Sequence, residues 1–252
     1  MKKLSIVIPF YKRVEDFKLA LRFNKKVFSN KDYEIVLCID EPISVDSIMD
    51  IVDKNKDIDW KVIYNENDHE WRNPAPVINS GIFNSTGEYI YVTSPESLIL
   101  NDADKILLEA AQITENCFCH GKCGAIKFSD YFDNRTIEHK YNETVMDIIK
   151  ENKVFKSDYG SILSKKTNFF KVGLYSQQYK TWGGEDTNLR FKFEALKFFR
   201  ILCKEAKILH ISYKAYVPPK NEIRPGAIAI SSFKNEKTFE LNNIKFDWRN
   251  NK

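Results

Sequence analysis

Leu4-Ser5-Ile6-Val7-Ile8-Pro9 decides the fold. A short, β-branched apolar run that stops at a proline reads as a strand buried on both faces. Such strands belong to parallel sheets covered by helices on both sides. The following residues supply the cover. Phe17, Ala20, Leu21, Val27 and Phe28 recur at helical spacing, and Tyr33 to Ile39 is a second apolar strand closed by Asp40-Glu41-Pro42. Ser44 is placed to cap a helix carrying Ile48, Ile51 and Val52. Trp60 to Tyr64 reads as a third strand. Val77, Ile78, Gly81 and Ile82 form a helical stripe that Gly87 would close as the C′ residue. Glu88 to Thr93 is a fourth strand, and Asn101 or Asp102 would cap a helix with Ile106, Leu107, Ala110 and Ile113. Strand and helix in alternation predict an α/β chain with a mainly parallel central sheet flanked by helices.

The second half is less regular. Gly124 to Phe128 and Gly160 to Ser164 read as strands. Asp186 to Leu196 reads as a helix with Leu189, Phe193 and Leu196 on one face. Ile201-Leu202-Cys203 and Ile208 to Ile211 read as a terminal pair of strands. Beyond Pro218 the pattern weakens. The expected organisation is one domain over 1–217 and a C-terminal lid or tail over 218–252.

Composition narrows the function. With 252 residues, 43% hydrophobic and 29% charged, the chain can bury one large core. The net charge of +4 is spread along the chain. It permits anionic ligands such as nucleotide sugars, or weak attraction to an anionic membrane surface, whereas a nucleic-acid binder concentrates its basic residues. No apolar run has the length of a membrane span. Met1-Lys2-Lys3 and the short run after it contain Pro9, meet Lys12-Arg13 and lack a small-residue cleavage site, unlike a signal peptide. Five cysteines without scaffold spacing point to a reducing, cytoplasmic setting. Cys117, Cys119, His120 and Cys123 sit too close together for a tetrahedral zinc site and read as reduced residues entering a strand. Dinucleotide and P-loop glycine patterns are absent from the sequence.

Ligands of such sheets lie beyond the carboxyl ends of the strands. Pro9 to Tyr11, Asp40-Glu41 and Ser94-Pro95-Glu96 fall there. A further candidate is Thr181-Trp182-Gly183-Gly184-Glu185-Asp186-Thr187-Asn188-Leu189-Arg190. Two glycines permit a sharp bend, and two carboxylates follow at a helix start, where the dipole favours them. One carboxylate can take a proton from a hydroxyl while its neighbour holds substrate. The plain alternative is a polar helix start after a glycine turn.

Ser5-Ile6-Val7-Ile8-Pro9-Phe10-Tyr11-Lys12-Arg13, Glu34 to Glu41, Asn79 to Ile90 and Trp182-Gly183-Gly184-Glu185-Asp186 together resemble GT-A-fold glycosyltransferases of the family 2 type, the last with a galactosyltransferase-like form. The resemblance spans roughly residues 4 to 213. It implies an inverting enzyme that moves a hexose or N-acetylhexosamine from a nucleotide sugar, UDP-linked, to a saccharide hydroxyl. The setting it implies is bacterial surface polysaccharide or lipid-linked oligosaccharide synthesis, peripheral at the inner face of the membrane, with homo-oligomers a further option. Nucleotide contacts fall on Pro9, Tyr11, Asp40, Arg72 and Asn79. Acceptor contacts fall on Trp182 and Gly184. Asp186 falls in the role of general base with Glu185 as its neighbour, and Glu96 and His210 fall in the role of ligands to Mn²⁺ or Mg²⁺. One departure stands out. The family's Asp-x-Asp is Ser94-Pro95-Glu96 here, leaving one carboxylate where a divalent ion bridges protein and phosphates. Either Glu96 still serves the ion, or basic groups such as Arg72 neutralise the pyrophosphate. The departure also keeps open a catalytically inactive glycosyltransferase-like binding module. A sugar nucleotidyltransferase would need a Gly-rich, Arg-containing N-terminal loop that this sequence lacks.

Overall fold

Strand β1 (Leu4–Phe10) is buried at every position. A computed structural model of the chain describes residues 2–65, 74–127, 143, 145–147, 150, 154–155, 161–177 and 184–212. The other strands are β2 (Tyr33–Ile39), β3 (Trp60–Tyr64), β4 (Tyr89–Val92), β5 (Ser97–Leu100), β6 (Cys117–Lys127), β7 (Ile162–Lys165) and β8 (Phe199–Ser212). They form one sheet in the order β3-β2-β1-β4-β7-β6-β8-β5. The β1–β2, β1–β4, β2–β3 and β6–β8 pairs are parallel. The β4–β7, β6–β7 and β5–β8 pairs are antiparallel. On one side of β1 lie β2 and β3, and on the other lie β4, β7, β6, β8 and β5.

Alternation of side chains along β1 sets the layers. Leu4, Ile6, Ile8 and Phe10 share a core with Phe17 and Leu21 of α1 (Val14–Phe28), Ile48 and Ile51 of α2 (Val45–Lys54) and Leu107 of α4 (Ala103–Gln112). Val7 points the other way, into a core with Val77, Ile78 and Ile82 of α3 (Ala75–Asn84), Phe169 of α5 (Lys166–Lys171) and Leu189 and Phe193 of α6 (Glu185–Ala195). The helix–sheet–helix architecture is the one that the apolar periodicity predicts.

Several local expectations are corrected. α3 closes at Ser85, whose hydroxyl donates to Gly81 O at 2.7 Å, and Gly87 is not its C′ residue. Gly87 instead lies against β1, where a Cβ would stand 2.6 Å from Ser5 N. Ser44 and Asp102 occupy N-cap positions, but neither side chain caps. Asp102 pairs with Lys105 at 2.8 Å, and Glu41 accepts from Ser44 N–H at 3.1 Å. Leu196 is 38% exposed at the end of α6 because that helix packs through Leu189 and Phe193. The expected terminal pair of strands is one long strand, β8. Lys204-Glu205 interrupts its apolar pattern at an irregularity where Gly121 pairs with Cys203 and Lys122 with Lys207. β5, only four residues long, gives no sequence signal of its own. Phe128 and the 218–252 segment lie outside the described residues.

Candidate active site

The carboxyl ends of β1, β2, β4, β6 and β8 share one edge of the sheet, and antiparallel β5 begins there. Three groups of side chains gather at this edge.

The first is the loop after β1. Pro9 is buried inside the strand, paired with Cys38, so the turn begins only after Phe10. Lys12 has a left-handed φ of 53°, uncommon for a residue with a Cβ. Glu41, 2% exposed, holds that turn. One carboxylate oxygen accepts from Lys12 N–H at 3.0 Å and the other from Ser44 N–H at 3.1 Å. A buried carboxylate therefore ties the β1 loop to the β2 loop. Asp40 beside it is buried, and its N–H donates to Phe10 O at 3.0 Å. Tyr11 is half-buried, with the Lys12 ammonium 4.9 Å from its ring centroid. The sequence marks the Asp40-Glu41 pair but assigns nothing to Glu41, whose role exists only when the two loops meet.

The second group spans β5 and β8. Ser97 and His210 are register partners, and Ile211 N–H donates to Glu96 O at 3.0 Å. Ser94 Oγ lies 2.8 Å from Ser97 Oγ and 3.4 Å from His210 Nε2. Glu96 and His210 thus stand at the same end of one strand pair. Burial holds the His210 pKa below its usual value. The Glu96 charge opposes that shift and Arg13 reinforces it. A neutral imidazole and a carboxylate are competent divalent-metal ligands. Among the described residues, no three His, Cys, Asp or Glu side chains cluster as a metal site. A divalent ion here would take two protein ligands and draw the rest of its shell from phosphate oxygens and water.

The third group opens α6. Gly184 is its N-cap with φ 92°, a backbone that glycine adopts without strain. Glu185 is 5% exposed, whereas Asp186 is open to solvent. Surrounding protein reduces the hydration of Asp186, and with the charge of Glu185 it pushes the carboxyl up to about 7. Cys123 on β6 connects the groups. Burial pushes its thiol up to about 12, and Glu96 and Asp186 both add to the shift. The fields of the Ser94–Glu96 segment and of the α6 start therefore overlap at one side chain. Arg72, Trp182 and Gly183 lie outside the described residues.

Asn79 has a different task from the nucleotide contact expected of it. It is 1% exposed, its amide nitrogen donates to Tyr175 O at 2.9 Å, and its amide oxygen accepts from Tyr175 N–H at 2.9 Å. Both polar atoms are committed to the backbone of a residue 96 positions away. Next to Tyr175, Gly173 (φ 75°) and Leu174 (φ 58°) form a left-handed turn. The buried Lys192 ammonium of α6 donates to Leu174 O at 2.9 Å and approaches Gly173 O at 3.5 Å. Burial alone pushes that lysine down to about 8. Neither Tyr175 nor Lys192 carries a sequence signal, because each reads as ordinary helix or loop composition.

Comparison with known proteins agrees with this architecture. The family model for glycosyl transferase family 2 matches residues 5–169. A crystal structure of GalNAc-T7 with UDP, GalNAc and Mn²⁺ aligns with a TM-score of 0.64 at 14% identity, over 90% of this chain and 47% of that one. This chain thus spans about half the length of that protein, and at that identity the likeness speaks for the shared fold. No curated protein matches the chain. A family model that covers most of the chain, on a sheet that shares the GT-A fold, shows that the chain belongs to glycosyl transferase family 2.

Proposed function

We propose that the protein is an inverting glycosyltransferase that moves a hexose or N-acetylhexosamine from a UDP-linked donor to a saccharide hydroxyl. The observation that carries this reading is the convergence at Cys123, where the Asp186 end of α6 and the Glu96 side of the strand edge act on one thiol. A transferase needs these two functions side by side: a base for the acceptor and a place for the departing nucleotide.

In this reading Tyr11 stacks on the base and Asp40 accepts from its N–H. Arg72 meets the pyrophosphate, and Trp182 with Gly184 bounds the acceptor sugar. Asp186 takes the hydroxyl proton as the acceptor oxygen attacks the anomeric carbon, and the bond to the nucleotide phosphate breaks on the opposite face. A carboxyl raised to about 7 is well matched to that task near neutral pH. Glu185 supports acceptor or donor binding. Glu96 and neutral His210 would hold Mn²⁺ or Mg²⁺, which would supply charge stabilisation for the leaving phosphates. That GalNAc-T7 was crystallised with UDP, GalNAc and Mn²⁺ supports the same donor chemistry. Residues 1–217 would form the catalytic unit and 218–252 a lid or tail. The setting would be surface-polysaccharide or lipid-linked oligosaccharide assembly in bacteria, at the inner face of the membrane. Among the described residues, no helix is long and apolar enough to cross a membrane.

The replacement of Asp-x-Asp by Ser94-Pro95-Glu96 favours a second reading, an inactive binding module of the same fold. A melting-temperature screen against UDP, GDP, CMP and dTDP species tests the donor, because a ligand that binds the native state raises the melting temperature. Stabilisation by UDP with release of sugar from UDP-hexose supports the enzyme. Stabilisation without any hydrolysis or transfer would favour the binding module, and no response to any nucleotide would overturn the donor assignment.

A further inference from the structure

Tyr175 is 0% exposed, and its hydroxyl is buried without a hydrogen-bond partner among the described residues. A phenylalanine would fill the same space and leave nothing unpaired, so the hydroxyl calls for a use. Its surroundings are expensive to build. Asn79 grips its backbone on both sides, Leu174 adopts a left-handed conformation beside it, and a lysine is buried to hold that turn. The ring shares a core with Leu189 and Phe193, one and two turns along α6 from the carboxylates. The charges of Asp186 and, less strongly, Glu185 both act on the Tyr175 hydroxyl.

We propose that Tyr175 is a positioning residue for the catalytic base: its hydroxyl is held in reserve to donate a hydrogen bond to the ionised Asp186 carboxylate. This rests on the reading of Asp186 as the base. Glu185 on its own helix acts on Asp186, and among the described residues the Asp186 charge reaches Cys123 on β6 and Tyr175. Glu185 is an acceptor that repels it when ionised, and a thiol is a weak donor. Tyr175 is the strong neutral donor of the three. A bond from it would use one Asp186 oxygen, favour the ionised form and leave the other oxygen for the acceptor hydroxyl.

Tyr175→Phe tests this. The expected result is an acidic limb of the kcat–pH profile moved upward by about one pH unit, with kcat about fivefold lower at pH 7. UDP affinity should be unchanged, and the melting temperature equal or higher because no unpaired hydroxyl remains. An acidic limb that stays in place would overturn the inference, whatever happens to kcat. Should the variant fold poorly, 3,5-difluorotyrosine introduced at position 175 keeps the shape and strengthens the donor. It should move the limb downward, and an unmoved limb again refutes the role. Failure of the underlying reading looks different, because Asp186→Asn would then turn over normally.

Discussion

The Asn79 side chain closes both backbone hydrogen bonds of Tyr175, donating to its carbonyl and accepting from its N–H, each at 2.9 Å. A helix on one side of the sheet thereby sets the height of the turn that leads toward α6.

Asn79→Ala leaves a buried N–H and a buried carbonyl unpaired. At ~1–3 kcal/mol for each of the two stranded groups, the loss of stability should be about 2–6 kcal/mol. Urea denaturation with an unchanged m-value measures it. A loss below about 1 kcal/mol would mean that water replaces the amide.

Asp186→Asn keeps the shape of the carboxylate without its basicity. We expect kcat to fall ~10²–10⁴-fold with UDP affinity nearly intact. In the unaltered protein, kcat should rise with pH through about 7, because the base works only when ionised. The product should carry the anomeric configuration opposite to that of the donor, and a retained configuration in the product NMR spectrum would end the assignment.

Excess chelator separates the two ways of neutralising the pyrophosphate. If Glu96 and His210 hold the ion, chelator abolishes turnover. Glu96→Gln should then raise the Mn²⁺ concentration for half-activation by at least the ~10–100-fold that loss of an outer-shell partner costs. Full turnover in chelator would point to Arg72 and other basic groups instead.

Lys192 carries a sign that can be read from stability alone. Its pKa is pushed down to about 8 in the folded protein, against ~10.4 in the unfolded chain. Between these values the unfolded chain binds more protons, so folding becomes more favourable as pH rises. The burden is fully present below pH 8, is relieved by ~10.4 and amounts to ~3 kcal/mol. Comparing the protein with Lys192→Met across pH 7–10.5 isolates this contribution: the difference in stability should shrink as pH rises. A constant difference would show that the lysine titrates normally.

Gly184→Ala forces a Cβ onto a residue at φ 92°. Strain of ~1–3 kcal/mol should appear in the melting curve, and kcat should drop with it as the start of α6 shifts. Wild-type kcat in this variant would show that the Glu185–Asp186 placement tolerates a moved helix start.

Legibility followed the range of the forces. Leu4 to Ile8 and Tyr33 to Ile39 announce themselves because burial on both faces demands largely apolar runs. The expected bounds of the second and third strands coincide with β2 and β3. β8 reads as two strands because Lys204-Glu205 looks like a break, while the sheet absorbs both residues in an irregularity opposite Gly121-Lys122. Gly87 looks like a helix stop, yet its lack of a Cβ serves the close approach to Ser5. The acidic strand ends and the Gly183-Gly184-Glu185-Asp186 run stand out as residue types, whereas the use of Asn79 as a clamp does not.

Residue order alone establishes the α/β alternation, the two-sided burial of β1 and the candidate carboxylates, since each follows from neighbours within a few positions along the chain. The antiparallel return of β5 onto β8, the pairing of Ser97 with His210 and the seat of Tyr175 on Asn79 join residues 96 or more positions apart. Their partners become defined when the sheet closes and buried polar groups must find one another, because an amide or carboxylate left alone in the interior costs more than any local preference can repay.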